Sequence, residues 1–277
     1  MSTLHEDLSN IVKGDVDNSD ETRQKFSHDA SMFELVPEVV VAPRDSEDVQ
    51  KIVQYVASKK GETDISVTVR SGGTCMSGGA INESIILDFG KYFTNIEEVT
   101  PTMGHAQPGV FYRDFEKATL EQDALMPSYP ASRDLCTIGG MVANNAGGER
   151  SLQYGKTEQF IESLKVVLAD GKEYEMKPLT KTELDQKMAQ DDFEGKLYRD
   201  VFELVDTNYD EIKAAMSQHW HRPIAPGRAY ATENEVAGKV ASVEPVQTAS
   251  WWQKLTAWFS GGGALVGGAV RFLPDAQ

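Results

Sequence analysis

Cysteine is nearly absent from this chain, with only Cys75 and Cys136 among 277 residues. That excludes a disulfide scaffold, a four-cysteine zinc site and an all-cysteine iron–sulfur cluster. Long apolar runs are missing too. The longest uncharged one, Leu255 to Val270, has 16 residues, five of them glycine, against the ~20 that a membrane-spanning helix needs. Its Gly263-x-x-x-Gly267 spacing fits a close helix contact in lipid, but a floppy or partly buried glycine-rich segment is the plainer reading. Bases are scarce: 27 Lys and Arg face 43 Asp and Glu, a formal charge of -16. Such a surface repels nucleic-acid phosphates and anionic lipid, so neither nucleic acid nor a membrane is an expected partner. A small phosphorylated ligand stays open, because backbone N–H groups can hold it whatever the net charge. The first residues, MSTLHEDLSNIVKGD, carry acids where a signal peptide carries a basic run and then an apolar one, so the expected location is a reducing cytoplasm. What is present is globular in balance, 40% hydrophobic and 25% charged, with room for one large domain or two modest ones.

The composition changes along the chain. Residues 214–277 hold four acids (Glu233, Glu235, Glu244, Asp275) and five bases (Arg222, Arg228, Lys239, Lys254, Arg271), a net +1 that leaves -17 on residues 1–213. All four tryptophans (Trp220, Trp251, Trp252, Trp258) lie in this tail. A boundary near 213–216 follows, with an atypical tail that reads as a truncated or frame-shifted end or as a small accessory segment. It is expected to pack poorly and to contribute little to ligand binding. His219 and His221 in the tail could suggest a metal pair. With no acidic partner nearby, a surface pair is the simpler reading, and no metal is expected.

Local patterns in the body indicate an α+β chain. Asn18 followed by Glu21 suggests a capped helix through Phe26. Val39 to Val41 before Ala42-Pro43 reads as a buried strand. Ser46 opens a helix whose Val49, Ile52, Val53 and Val56 share one face. Ile65 to Val69 alternates as a strand does, and Ser84–Asp88 and Ile96–Val99 look like others. Phe111–Glu121 reads as a helix burying Phe111, Phe115 and Ala118. Ile161–Ala169 and Lys172–Met176 form a hairpin about Asp170-Gly171, a type I′ signal. Thr180–Ala189 and Lys196–Ala215 read as helices.

Two glycine-rich segments carry the chemistry. The first, Arg70-Ser71-Gly72-Gly73-Thr74-Cys75-Met76-Ser77-Gly78-Gly79, follows a strand directly. Its glycines allow positive φ and close approach of a ligand to the backbone. Successive N–H groups, the hydroxyls of Ser71, Thr74 and Ser77, and the charge of Arg70 would make an anion site. The alternative is a long glycine-rich hairpin loop. No Lys-Ser or Lys-Thr follows the glycines and G-x-G-x-x-G is absent, so it is neither a Walker A nor a Rossmann loop. The second segment runs from Pro127 through Ser132 and from Cys136 to Gly148. Its small side chains leave room for a flat ligand, and Asn144 and Asn145 offer amides to a heterocycle edge. A tightly packed helix and loop is the alternative.

In order and spacing these segments resemble the FAD-binding domain of the vanillyl-alcohol oxidase and p-cresol methylhydroxylase (PCMH) type, and within it the flavin subunit of glycolate oxidase and D-lactate dehydrogenases. The resemblance is carried by His28-Asp29-Ala30-Ser31, Val41-Ala42-Pro43-Arg44, Arg70–Gly79, Gln107-Pro108-Gly109 and Met126-Pro127. It continues through Cys136–Gly148, Tyr154-Gly155-Lys156-Thr157 and Val166–Gly171. It implies a two-subdomain PCMH-type fold over residues 36–213, preceded by a helical segment at 1–35, with FAD between the subdomains. Ser71, Gly72, Gly73, Thr74, Cys75, Ser77, Gly78 and Gly79 would hold the pyrophosphate beside Arg70, and Pro43 would lie by the adenine. Thr137, Gly140, Asn144, Gly147 and Gly148 would line the ribityl and isoalloxazine region with Tyr154 and Gly155 close by, Pro127 would also bind the cofactor, and Val166 would close over the nucleotide. Thr74 stands where some relatives tether FAD through histidine, so the flavin is expected to be non-covalent. Cys75 is a possible anchor in principle, though a small packed thiol is the simpler role. The implied activity is hydride transfer from a small 2-hydroxy acid to flavin N5, with electrons leaving to an acceptor the sequence does not specify. The family's substrate domain is not recognisable after residue 213 and no catalytic base stands out, so a flavin-binding fragment or subunit is the alternative function.

Overall fold

The computed structural model describes residues 3–220, 264–271 and 273–274. In chain order the elements are α1 (Leu4–Ile11), β1 (Asp15–Asp17), α2 (Asp20–Phe26), β2 (Val39–Ala42), α3 (Ser46–Ser58), β3 (Val67–Arg70), β4 (Ile85–Asp88), β5 (Ile96–Val99), β6 (Met103–Ala106), α4 (Tyr112–Leu120), β7 (Ala124–Leu125), α5 (Ile138–Ala143), α6 (Ser151–Tyr154), β8 (Ile161–Val167), β9 (Glu173–Met176), α7 (Lys181–Met188), α8 (Phe193–Thr207), α9 (Tyr209–Trp220), β10 (Ala264–Arg271) and β11 (Leu273–Pro274). Strands and helices mix without regular alternation, an α+β arrangement. The chain divides into two compact units, residues 1–178 with 251–277, and residues 179–250. The division falls at Pro178, not at the change of composition near 213, and the end of the chain returns to the first unit.

The first unit holds a four-stranded sheet in the order β1-β2-β4-β3, with β2, β4 and β3 parallel and β1 antiparallel to β2. Every residue of β2 is buried, which is why its sequence is continuously apolar and does not alternate. Helix α3 sends Val49 and Ile52 into the core with Val39, Val41, Ile85 and Leu87, as its 3.6-residue spacing requires. Its third residue, Asp48, is fully buried and accepts the backbone N–H groups of Lys13, Gly14 and Arg44 at 2.8–2.9 Å. One carboxylate thereby holds the chain before β1 against the chain after β2. Two details differ from the sequence reading. Helix α2 is capped by Ser19, whose Oγ accepts the Thr22 N–H, one residue later than Asn18. Strand β3 begins at Val67, two residues after Ile65, and runs straight into the first glycine loop.

The second sheet is antiparallel, in the order β5-β6-β10-β8-β9. Strand β10 corrects the expectation that the tail packs poorly. Ala264–Arg271 lies between β6 and β8, with Gly268 opposite Ala106 on one side and Leu164 on the other. Glycine-rich composition hid the strand, because Gly267 and Gly268 carry no β propensity and no side-chain pattern. Gly263 and the three tryptophans Trp251, Trp252 and Trp258 lie outside the described residues, as does His221. The β8–β9 turn is not type I′. Only Gly171 has positive φ, +71°, and its N–H reaches the Leu168 carbonyl, so a turn over Leu168–Gly171 ends on one left-handed residue. Helix α4 buries Tyr112, Phe115 and Thr119; Phe111 is its N-cap, which rotates the buried face by one residue from the expected Phe111, Phe115 and Ala118. Tyr112 donates its hydroxyl to the Met126 carbonyl at 2.7 Å and packs with Tyr129, Met126 and Met141 in a second core. Burial pushes the Tyr112 hydroxyl well above the ordinary tyrosine range.

The second unit contains α7, α8 and α9. Thr180 and Glu183 form a reciprocal capping box on α7. Lys187 on α7 pairs with the buried Glu194 of α8 at 2.6 Å. The single helix expected over Lys196–Ala215 is broken at Asn208, whose Nδ2 donates to the Leu204 carbonyl and ends α8.

Candidate functional site

Strand β3 delivers the chain into the first glycine loop at its last residue, Arg70. Gly73 and Gly78 take φ of +63° and +76°, values that a β-branched residue avoids. The backbone N–H groups of Gly72, Gly73 and Thr74 make no hydrogen bond to any described residue. Three neighbouring donors left open in this way are the chemistry of an anion site. The far side of the loop is self-contained. Cys75 Sγ accepts the N–H groups of Ser77 and Gly79 at 3.4 Å, and the Phe33 ring lies where a side chain on Gly78 would go.

The second segment meets this loop through a short helix. Thr137 caps α5, its Oγ1 accepting the Gly140 N–H. Gly139 is pressed against Pro108, with no room for a Cβ (2.4 Å), and its N–H donates to the Pro108 carbonyl. At Gly140 a Cβ would meet nothing closer than Thr137 Oγ1 at 3.5 Å, so this glycine opens onto free space. That space is a cleft of about 920 Å³ in the first unit, within the range of cofactor sites.

The cleft brings together much of the expected site. Ser71, Gly72, Gly73, Thr74, Cys75 and Gly79 line it from the first loop, Thr137, Gly140 and Asn144 from the second, and Val166 from β8. An apolar wall of Val53, Val56, Ile65, Val67, Val69 and Leu168 continues it, a surface that the motif reading did not single out. The signal was present in the half-buried, alternating β3 and in Val53 and Val56, which share the apolar face of α3 with Val49 and Ile52. Pro43, Arg70, Ser77, Gly78, Pro127, Gly147, Gly148, Tyr154 and Gly155 do not line this cleft. Several of them pack around Ser128 instead. Its Oγ donates to the Ala146 and Gly155 carbonyls, and a Cβ on Gly148 would meet the Tyr129 carbonyl at 2.2 Å. Asn145, beside Asn144, is left-handed (φ +43°) and its Oδ1 accepts the Glu158 N–H, so it shapes the loop.

Arg70 departs from the expectation most clearly. Its Nη1 donates to the carbonyls of His28, Phe26 and Ala80, at 2.5, 3.4 and 3.4 Å, and the guanidinium lies 5.1 Å from the Phe26 ring centre. The Nη1 bonds run beneath the loop, and Arg70 does not line the cleft. Burial works against its charge and lowers its pKa, while Asp29 and Asp88 act in the opposite sense. Burial holds Asp88 above the usual carboxylate range. The titratable side chains that do line the cleft are Lys60, Asp64 and Cys75. The second cysteine, Cys136, is buried, and its thiol is pushed up to about 11.

These residues fit a dinucleotide. The open N–H groups suit a diphosphate, Gly140 leaves room against the backbone, and the apolar wall suits a flat ring.

A family profile described as "FAD binding domain" matches residues 37–177. The chain is 29% identical over 193 residues to D-2-hydroxyglutarate dehydrogenase of Escherichia coli, covering 69% of this chain and 19% of that protein. It is 36% identical over 137 residues to D-lactate dehydrogenase of Archaeoglobus fulgidus, covering 48% and 30%. The chain therefore spans less than a third of the length of these relatives. Among solved structures it is similar to 6-hydroxy-D-nicotine oxidase of Arthrobacter nicotinovorans, with a TM-score of 0.53, 21% identity and coverage of 62% of this chain and 38% of that one.

Proposed function

This chain belongs to the FAD binding domain family, with FAD as its cofactor, and from that premise we propose that it holds the flavin non-covalently for the oxidation of a small 2-hydroxy acid. The observation that carries the reading is the cleft itself. Two glycine-rich segments some 60 residues apart in sequence meet there, one presenting the unclaimed N–H groups of Gly72, Gly73 and Thr74, the other an open backbone at Gly140.

In this reading Gly72, Gly73 and Thr74 bind the diphosphate through their N–H groups, with Ser71 and Thr74 hydroxyls beside them. Thr137, Gly140 and Asn144 orient the flavin end, and the wall of Val53, Val56, Ile65, Val67 and Leu168 excludes water from the nucleotide. Thr74 stands where a histidine tether would be and carries no imidazole, which supports non-covalent binding. When bound, flavin supplies a two-electron acceptor for the hydride of an alcohol carbon. The 2-hydroxy-acid substrate class is supported by the names of the relatives, whose substrates are D-2-hydroxyglutarate and D-lactate.

One observation favours a second reading, a flavin-holding module whose substrate-activating groups come from elsewhere. Removing an alcohol proton needs a positioned base. Among the described residues lining the cleft the only ionisable side chains are Lys60, Asp64 and Cys75, and no histidine, glutamate or tyrosine is present. Anaerobic mixing of the flavin-loaded chain with D-lactate, glycolate or D-2-hydroxyglutarate separates the two. Bleaching of the flavin band by a hydroxy acid supports the oxidoreductase reading for this chain. Bleaching by dithionite alone supports the module.

A further inference from the structure

Arg70 is the last residue of β3, yet its guanidinium lies behind the loop that β3 leads into. It donates to the Ala80 carbonyl at the far end of the loop and to the Phe26 and His28 carbonyls of the preceding turn. The same turn is tied to the loop twice more, by Ala30 N–H to the Gly73 carbonyl at 3.1 Å and by Ala80 N–H to Asp29 Oδ2 at 3.4 Å. Gly73 rests on the guanidinium: a Cβ there would lie 2.6 Å from Nη2 and 2.9 Å from Cζ. No carboxylate of the described residues forms an ion pair with Arg70. A partly buried cation therefore stands behind three open N–H donors without a direct counter-ion.

We propose that Arg70 is a positioning residue for a diphosphate, acting through the loop and not by contact. Its Nη1 joins the far end of the loop, at the Ala80 carbonyl, to the Phe26 and His28 carbonyls, and its guanidinium lies under Gly73; together these hold the N–H groups of Gly72, Gly73 and Thr74 in place before the ligand arrives. Donors fixed in advance cost no reorganisation on binding. Its charge adds attraction for an anion on the cleft side, where desolvation makes charge interactions stronger than in water. Both effects favour a ligand that carries a diphosphate over the same ring system without one. Lysine keeps the charge but not the planar guanidinium that lies under Gly73 and by the Phe26 ring, and methionine loses both. This inference rests on the dinucleotide reading of the cleft.

The test titrates the full chain, as wild type, R70K and R70M, with FAD, ADP and riboflavin, and follows FAD affinity against salt. The expected result is that R70M weakens FAD and ADP by about tenfold or more while riboflavin changes by less than about twofold. The salt dependence of FAD binding should flatten in R70M and persist in R70K, whose ADP affinity falls between the other two. Equal losses for all three ligands would make Arg70 a scaffold residue and overturn the proposal, as would unchanged ADP binding in both variants. If R70M fails to unfold cooperatively, R70K decides by the same comparison of ADP with riboflavin. A wild-type chain that binds neither FAD nor ADP overturns the dinucleotide reading and this proposal with it. Wild-type binding with indifferent variants overturns this proposal alone.

Discussion

Ending the chain at Ser250 removes β10 and β11, and the structure sets the size of the effect. Strand β10 is paired over four positions with β6 and six with β8. At roughly one hydrogen bond per pair and about 0.5–1.5 kcal/mol net for each, the loss is on the order of 5–15 kcal/mol. That equals the whole stability of an ordinary domain. It also leaves the β6 and β8 edges unpaired, and β8 carries Val166 and Val167 of the cleft wall. The truncated chain should therefore lose cooperative urea unfolding, followed by circular dichroism, and should lose FAD binding. A graded version replaces Gly268, which is paired on both sides, by proline. Losing one donor and forcing the ring into a central strand should cost about 3 kcal/mol or more. A chain ending at Ser250 with the same urea midpoint as the full chain, and with FAD affinity within about twofold, would refute the placement of β10.

Asp48→Asn should cost about 2–4 kcal/mol in urea unfolding, because an amide nitrogen then faces backbone N–H donors that the carboxylate accepted; a change below about 0.5 kcal/mol would remove the anchoring role. Thiol labelling at pH 8 should modify Cys75 and spare Cys136. A buried thiol pushed up to about 11 is thiolate in only about one molecule in a thousand at that pH. FAD should slow the labelling of Cys75, which lines the cleft, and two equally fast thiols would contradict both placements. Thermal stability should hold from neutral pH to about 5 and then fall. Asp15 is held below its ordinary value chiefly by Lys91, Asp17 chiefly by Thr22, and Asp45 chiefly by Lys13. Contributions of this sign are complete above the unfolded value near 4 and are lost as pH falls through the lower native values. Asp88, raised by burial, has the opposite sign but stands against these three and against Asp29 and Glu47, which are held low as well. A midpoint that rises on acidification from pH 5 to 3 would contradict this balance.

What the sequence made legible was local. The all-apolar β2, the one-sided α3 and the glycine loop after β3 are each specified by neighbours a few residues apart, and each lies where its pattern predicted. What it hid depended on distant partners. Gly267 and Gly268 look like a flexible run until β6 and β8 are placed on either side. Arg70 is adjacent to the loop in sequence, which says nothing of its direction; the carbonyls of Phe26 and His28, more than forty residues earlier, draw the guanidinium beneath the loop. Gly147 and Gly148 belong to the same small-residue pattern as Gly140, yet Gly148 is closely packed against the Tyr129 carbonyl where Gly140 faces free space. The cap of α2 shifted by one residue, from Asn18 to Ser19, because neighbouring polar residues compete for that role, and α4 begins at Tyr112, one residue after Phe111.

The central claim is that the two glycine segments form one dinucleotide cleft. It is tested most directly by titrating the purified full chain with FAD, by calorimetry and by flavin absorbance, beside a Gly140→Val variant that fills the open space at α5. The account predicts saturable binding of one FAD per chain, release of the flavin into the supernatant on acid precipitation, and loss of at least about tenfold in affinity in the variant. Absence of saturable binding in the wild type, or a Gly140→Val chain that binds FAD as tightly as the wild type, would contradict it.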